Sequence, residues 1–406
     1  MISGRGDLVE RAAARFAVVA VLLWPLALLA FSVKDYVLPH GGVPAPHIDL
    51  EVYRSAARSF LDGEPLYGRT WPVGPDAAEL PFTYPPFAAI LMVPMAWVDL
   101  KTLGLLWGPI SYLLLGGVLY GVARTLGEKR GVAAVCAVAG VGLGAFFSPM
   151  QSHLSVGQVN LVLMALVTAD VLVPHPRWPR GALVGMAAAI KLTPAGFVLI
   201  FVLRKDWRAV VTAVVSGVAW TVLAGLVSWR DSVDYWTSLL ESSDQVRVFS
   251  GEHNYSVHGI LERLPLGPAS APMAVLAVLA ILAIGVLAIR RQLADGSLVM
   301  ALMVNAVVIT LVSPVSWPHH WVWAIPTALV LAVAASRGSW ISAALLAVTL
   351  VAFVVSGNPS IHRYFWVAYV LWGLTLLLGA CQTLVPRRGD TEEQDEAGLT
   401  PALQRT

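Results

Sequence analysis

The sequence predicts an all-α membrane protein, a polytopic helix bundle of about ten full spans with additional re-entrant or half-helix segments. Three observations predict it. Apolar stretches approaching the roughly 20 residues needed to cross a bilayer recur from Phe16 to Leu384. Arg and Lys cluster in the short turns on one side of those stretches, as cytoplasmic loops require. Polar, aromatic and ionisable residues gather between the opposite ends. With 57% hydrophobic residues, 13% charged and a mean hydropathy of +0.71, a soluble globular domain is excluded.

The elements follow in order. Arg5, Arg11 and Arg15 precede the apolar run Phe16 to Val33, which is long and lacks an A-x-A cleavage site, so it reads as a retained first helix over residues 14–33 with its basic end in the cytoplasm. Residues 34–82 then form the first external loop, within one membrane domain spanning residues 1–388. The stretch 82–98 holds Pro85, Pro86 and Pro94 and is barely long enough to span. A re-entrant or interfacial excursion there keeps Arg124, Lys129 and Arg130 inside, and broken backbone at that depth must line a protein or water-filled cavity.

Spans are expected at about 103–123, 131–147, 158–174, 209–228, 269–289, 297–312, 321–336, 340–356 and 364–384. External segments are then 148–157, 229–268, 313–320 and 357–363. Residues 181–203 could make one span, yet both flanks are basic, and Lys191-Leu192-Thr193-Pro194 sits at the middle. Two half-helices folded as a hairpin resolve the conflict and bring Lys191 deep into the membrane, where an ammonium is costly and usually functional. The polar tail 389–406 lacks apolar periodicity and is expected to be disordered and cytoplasmic. Cys136 and Cys381 lie in apolar stretches and read as packed thiols. No long basic run suggests nucleic acid.

In the first external loop, Leu50, Tyr53, Ala57 and Phe60/Leu61 fall at helical spacing, ended by Asp62-Gly63 and Pro65. Such a helix lies on the membrane surface. Asp49 opens it, and two readings stand: an N-cap or a functional carboxylate. Asp49-Leu50-Glu51 also imitates a metal-holding acid-x-acid pair, but residues i and i+2 diverge by about 200° on a helix, which disfavours a shared ion. His319-His320 are interfacial histidines or phosphate hydrogen-bonders, beside Trp317, Trp321 and Trp323, which suit an aromatic belt. Lys191 either snorkels or serves a site. Asn254-Tyr255-Ser256 forms a glycosylation sequon that chance also produces. The recurrence of polar residues at helix ends suggests one shared cavity: His47/Asp49/Glu51, Tyr84, His153/Gln158/Asn160, Lys191, Asn254/Ser256/His258 and Ser313 to His320.

Several of these stretches, in order over about residues 47–323, together resemble the polyprenyl-phosphate-mannose-dependent α-1,2-mannosyltransferases of the actinobacterial cell envelope. They are Asp49-Leu50-Glu51-Val52-Tyr53, Leu66-Tyr67-Gly68, Leu80-Pro81-Phe82-Thr83-Tyr84-Pro85-Pro86-Phe87, Gly157-Gln158-Val159-Asn160, Lys191-Leu192-Thr193-Pro194, Asn254-Tyr255-Ser256 with Gly259, and Ser313 through Trp323. Pro318 and Tyr255 depart from that pattern, where threonine and glutamine are commoner, and bear on the acceptor.

The resemblance implies a GT-C-type fold, an active site on the external face of the plasma membrane, and inverting transfer of mannose to a lipid-anchored mannoside, either a phosphatidylinositol mannoside or lipomannan. It implies Asp49 as catalytic base, His319, His320 and Lys191 as donor-phosphate ligands, and Tyr84, Gln158, Asn254 and Trp317 as sugar or lipid contacts. No metal or other cofactor is expected, because a polyprenyl phosphate leaves as a stabilised anion. An arabinofuranosyltransferase with a polyprenyl-phosphate donor is the sister alternative. The rival of another class is a secondary transporter or lipid flippase, but the interruptions at 82–98 and 181–203 both fall in the N-terminal half, unlike paired transporter repeats.

Overall fold

The computed structural model describes residues 47–75, 77–238, 254–354 and 366–385. The expected first helix, the segments 239–253 and 357–363, and the polar tail lie outside them. The described chain is a helix bundle: α1 (Ile48–Leu61), a small antiparallel hairpin of β1 (Trp71–Val73) and β2 (Ala78–Leu80), α2 (Pro86–Ala96), α3 (Leu100–Thr125) and α4 (Arg130–Gly144). Next come α5 (Ser148–Val156), α6 (Asn160–Leu172), α7 (Ala182–Ile190), a 3-10 turn (Thr193–Phe197), α8 (Val198–Leu203) and α9 (Trp207–Val227). After α10 (Val257–Arg263) run α11 (Ser270–Ala294), α12 (Leu298–Val312), a second 3-10 turn (Pro318–Trp323), α13 (Ala324–Ser336), α14 (Trp340–Val354) and α15 (Trp366–Gly379).

Four described helical segments are long and apolar enough to cross a bilayer: Leu100–Thr125, Trp207–Val227, Gly267–Ala294 and Pro318–Ser336. A fifth results if Arg130–Gly144 and Ser148–Val156, bent by 76° at their junction, form one broken span. The remaining apolar helices are of 10–17 residues, so helix length among the described residues stops short of ten spans. Breaks account for part of this. The segment expected as the external loop 148–157 is itself helical, as α5, and α13 begins in a 3-10 turn at Pro318. Outward faces such as Val211, Val214, Val215, Val218 and Val222 of α9 stay exposed, an apolar surface suited to lipid.

The expected break at Lys191 is present. That residue is extended (φ −148°, ψ 129°) and caps α7. Where α7 begins, a Cβ on Gly181 would lie 2.1 Å from the Ala209 carbonyl, and one on Gly185 would lie 2.3 Å from that of Ala213. The start of α7 is therefore level with the start of α9, and α8 ends four residues before α9 opens. The chain has doubled back between them, as a hairpin must. Its base is fastened by Asp170, whose carboxylate accepts from the backbone N–H groups of Gly181 (3.0 Å) and Val184 (2.9 Å). Arg180 donates to the carbonyls of Asp170, Val171 and Val173, satisfying the end of α6.

Helix α2 lies beside α1, its C-terminal carbonyls at Ala96 and Val98 accepting from Arg58 and Arg54. At its other end Phe87 stacks on Trp220 of α9, ring centroids 4.8 Å apart. The short helix α2 thus places Tyr84, just before it, against Lys191 at the tip of the hairpin.

Gly185→Ala should lower the thermal unfolding midpoint, because a methyl group meets backbone rather than a yielding side chain, a strain of about 1–3 kcal/mol. A midpoint equal to wild type in detergent would show that α7 and α9 are not so closely packed.

Candidate active site

Asp49 sits in the first turn of α1, not at its cap. The cap position belongs to His47, in the left-handed region (φ 41°), with its N–H bonded to the Ser155 carbonyl at 2.9 Å and no side-chain cap. The N-cap reading of Asp49 therefore fails: the helix begins two residues earlier than that reading requires, which turns the carboxylate inward rather than onto its own backbone. Asp49 is buried, and Oδ2 accepts from Nε2 of Gln158 at 2.8 Å. Glu51 goes elsewhere, its Oε2 accepting from the Gly74 N–H at the β-hairpin turn (2.9 Å). The two carboxylates do not face a common site.

Gln158 is the centre of a buried network. Its Oε1 lies 3.2 Å from the Tyr53 hydroxyl and 3.1 Å from that of Tyr84, and the two hydroxyls are 2.9 Å apart. Its backbone carbonyl accepts from the Trp107 indole at 3.0 Å. The approach of α1 to this turn depends on Gly157, which has φ 78° and where a Cβ would fall 2.4 Å from Cγ of Leu50.

On the other side of Tyr84 stands Lys191. Its Nζ is 3.5 Å from the Tyr84 hydroxyl, 3.1 Å from Oδ1 of Asn160 and 3.2 Å from Nε2 of His320, and it lies 5.2 Å from the Tyr84 ring centroid. No carboxylate lies within 4 Å of this ammonium among the described residues. His320 Nδ1 accepts from the Trp317 N–H at 3.3 Å, so in the neutral ring Nε2 carries the proton. Two donors, Lys191 and His320, then confront one another across 3.2 Å. An anionic oxygen lying beside the pair, within hydrogen-bond reach of both nitrogens, would satisfy them.

A cavity of about 210 Å³ opens here, and Tyr84, Gln158, Lys191, Trp317 and His320 line it together with Thr83, Thr193, Tyr235 and Ser313. Five of the eight expected site residues thus share one wall. The other three stand back from it. Asp49 lies behind Gln158. His319 is buried, with Nδ1 3.4 Å from the Ser152 hydroxyl and its backbone carbonyl accepting from Asn160 at 2.8 Å. Asn254 is spent on the loop: its amide donates to the Pro314 carbonyl and its Oδ1 accepts from the N–H groups of Ser256 and Ser316. It latches the loop that carries Trp317 instead of facing a sugar, and its burial also removes it as a glycosylation acceptor in the folded chain.

Tyr53 and Trp107 belong to the network without having been expected as site residues. Tyr53 had a signal, since it follows Asp49 by four residues and so shares its helical face. Trp107 had none, being one aromatic residue inside an apolar helix.

Burial raises the Asp49 pKa to about 6, against the hydrogen bond from Gln158 and the charge of Lys191, which both lower it. A carboxylate so tuned is ionised at neutral pH yet basic enough to accept a proton from an attacking hydroxyl.

The glycosyltransferase family 87 model matches residues 82–314, more than half of the chain. The chain belongs to glycosyltransferase family 87. Across 94% of both chains it is 34% identical to a polyprenol-phosphate-mannose-dependent α-(1-2)-phosphatidylinositol mannoside mannosyltransferase of Mycobacterium tuberculosis. A protein of the same description from Mycolicibacterium smegmatis is 36% identical over 88% of each chain. Similarity to an α-(1→3)-arabinofuranosyltransferase of Corynebacterium glutamicum is weaker, 25% over half of this chain. No solved structure matches the chain. For this family-87 chain the matched region includes Tyr84, Gln158 and Lys191, whereas Asp49 and the two histidines lie outside it.

Gly157→Ala should push Leu50 away and with it the turn that holds Asp49 against Gln158. Since a misplacement of 1 Å can cost about 100-fold in rate, glycosyl transfer should fall by roughly 10- to 100-fold with protein yield retained. Undiminished turnover would mean that the close approach of α1 is dispensable.

Proposed function

We propose that this chain transfers mannose from polyprenyl-phosphate-mannose to a phosphatidylinositol mannoside, forming an α-1,2 linkage with inversion at the external face of the plasma membrane. The observation that carries it is a single buried carboxylate, Asp49, joined through Gln158 and Tyr84 to a pair of donors, Lys191 and His320, on a cavity wall. Membership of the family and the names of the relatives support the same reading. Lipomannan is the second acceptor of the same chemical kind.

In this reading Asp49 is the general base. That role requires the acceptor hydroxyl, directly or through one water, to come within hydrogen-bond reach of the carboxylate past Gln158, the residue that stands between it and the cavity. The acceptor hydroxyl gives up its proton as it attacks the anomeric carbon, and an ionised carboxylate receives it. The leaving polyprenyl phosphate departs as a stabilised anion and requires no proton donor, unlike the alcohol leaving groups of glycosidases. Its growing charge is met by Lys191 and the Nε2–H of His320, donors arranged before the reaction begins. Trp317 and Tyr84 offer aromatic faces to the pyranose. His319 supports its neighbour from beneath, through the carbonyl it offers to Asn160.

Transfer proceeds without a metal or other cofactor in this reading, since one carboxylate acts as base and nitrogen donors hold the phosphate. The arabinofuranosyl alternative is less supported, having only the weaker similarity. For topology we retain about ten spans, with 82–98 and the 181–203 hairpin re-entrant and the Arg/Lys-bearing turns cytoplasmic.

Asp49→Asn should abolish transfer from synthetic polyprenyl-phosphate-mannose, by at least about 100-fold as general base catalysis allows, while membrane insertion is preserved; near-normal turnover would reject the base. In the wild type, kcat/KM should decline as pH falls through about 6, where Asp49 takes up a proton and can no longer accept one. Chelators should leave the rate unchanged, and loss restored by added divalent metal would contradict the metal-free scheme. A cysteine placed at position 252 should react with an impermeant thiol reagent on intact cells, whereas one at 205 should react only after permeabilisation.

A further inference from the structure

Gln158 has two ends of nearly equal shape, and only one assignment of them satisfies its surroundings. One end faces the Asp49 carboxylate at 2.8 Å. The other faces the Val159 N–H at 3.3 Å, which can only donate, and the hydroxyls of Tyr53 at 3.2 Å and Tyr84 at 3.1 Å. Those hydroxyls lie 2.9 Å apart, so that one phenol gives its proton to the other and the second gives its own to the amide oxygen. Turned over, the amide would set carbonyl against carboxylate and N–H against N–H. Tyr53 contributes to this choice without touching the cavity, for it is fully buried. Its ring meets that of Tyr84 edge-on, centroids 5.3 Å apart, so the hydroxyl can be removed without removing the packing.

We propose that Tyr53 is a positioning residue: with Tyr84 it locks the Gln158 amide so that an N–H always points at Asp49, keeping the buried carboxylate ionised and aimed. This rests on Asp49 being the base. Tyr84 also contacts Lys191 and lines the cavity, so its hydroxyl has a second duty; the Tyr53 hydroxyl touches only the Gln158 amide and the Tyr84 hydroxyl that shares it. The other titratable groups packed near Asp49 do not compete for the same contact. Glu51 is turned onto Gly74, and His153 of α5 is directed to the Ser111 hydroxyl. His47 lies on the Ser155 side of the turn, and Lys191 stands beyond Tyr84.

The test is the pH profile of kcat/KM in Tyr53→Phe, Gln158→Met and the double variant, with polyprenyl-phosphate-mannose as donor and a phosphatidylinositol mannoside as acceptor. An amide free to turn leaves Asp49 without its donor part of the time. A carboxylate deprived of a hydrogen bond to its charged form becomes more basic, so the acid limb should move to higher pH in Tyr53→Phe by about half to one unit. Gln158→Met should show the full shift, and adding Tyr53→Phe to it should produce no further movement, as coupled residues require. In Tyr53→Phe, whose side chain does not line the cavity, acceptor KM should stay near wild type.

A wild-type acid limb in Tyr53→Phe overturns the inference, as does a lowered plateau with the limb unmoved, which would mark a packing role. Full additivity in the double variant also overturns it. If Asp49→Asn retains turnover, the reading of the base has failed; if Asp49→Asn is inactive and the Tyr53→Phe limb stays in place, only this inference has.

Discussion

Everything at the candidate site turns on one chain of polar contacts that crosses the bundle interior: Lys191 to Tyr84, Tyr84 to Gln158, and Gln158 to Asp49. In a low-dielectric interior, a cation and an anion brought into direct contact would neutralise one another as an ion pair. Interposing a phenol and an amide keeps the two charges apart; in the proposed reading this leaves the ammonium for a phosphate and the carboxylate for a proton. Each interposed group is satisfied on both sides, so the separation does not leave an unpaired buried polar atom between them.

The fold is arranged to allow that separation. Asp49 arrives on the 14-residue helix α1, Tyr84 just before the short helix α2, Gln158 beside the left-handed Gly157 and Lys191 at the tip of a helical hairpin that doubles back on itself. None of these is a full span. Continuous spanning helices satisfy their own backbone and offer little polar surface, whereas interrupted ones expose carbonyls and N–H groups that must be met by side chains or a cavity. The interruptions therefore supply the site, and the long helices α3, α9 and α11 supply its walls and lipid-facing surface. Close approaches at Gly181 and Gly185 hold the hairpin against α9, and Asp170 and Arg180 close its base.

Much of this was legible in the chain. The conflict between basic flanks and an apolar run of one span's length predicted the break at Lys191, because charge placement and helix length are both local properties. The divergence of Asp49 and Glu51 followed from helical geometry alone. Tyr84, Gln158, Lys191, Trp317 and His320, expected at the site from the sequence, share a cavity. For Asp49 the sequence leaves cap and functional carboxylate open, and the cap at His47, two positions earlier, removes the first of these. Asn254 was expected on the sugar and instead holds the loop.

Sequence by itself determined that the chain is helical and membrane-embedded, where it breaks, and which polar residues sit at the breaks, since hydropathy, proline and charge act over a few residues. Tertiary structure decided the partners. Gln158 and Asp49 are 109 residues apart in the chain, and no local rule specifies that their side chains meet. It also chose between His319 and His320. Neighbours on a 3-10 turn point about 120° apart, so only the placement of that turn against the hairpin determines which imidazole faces the cavity and which is buried behind it.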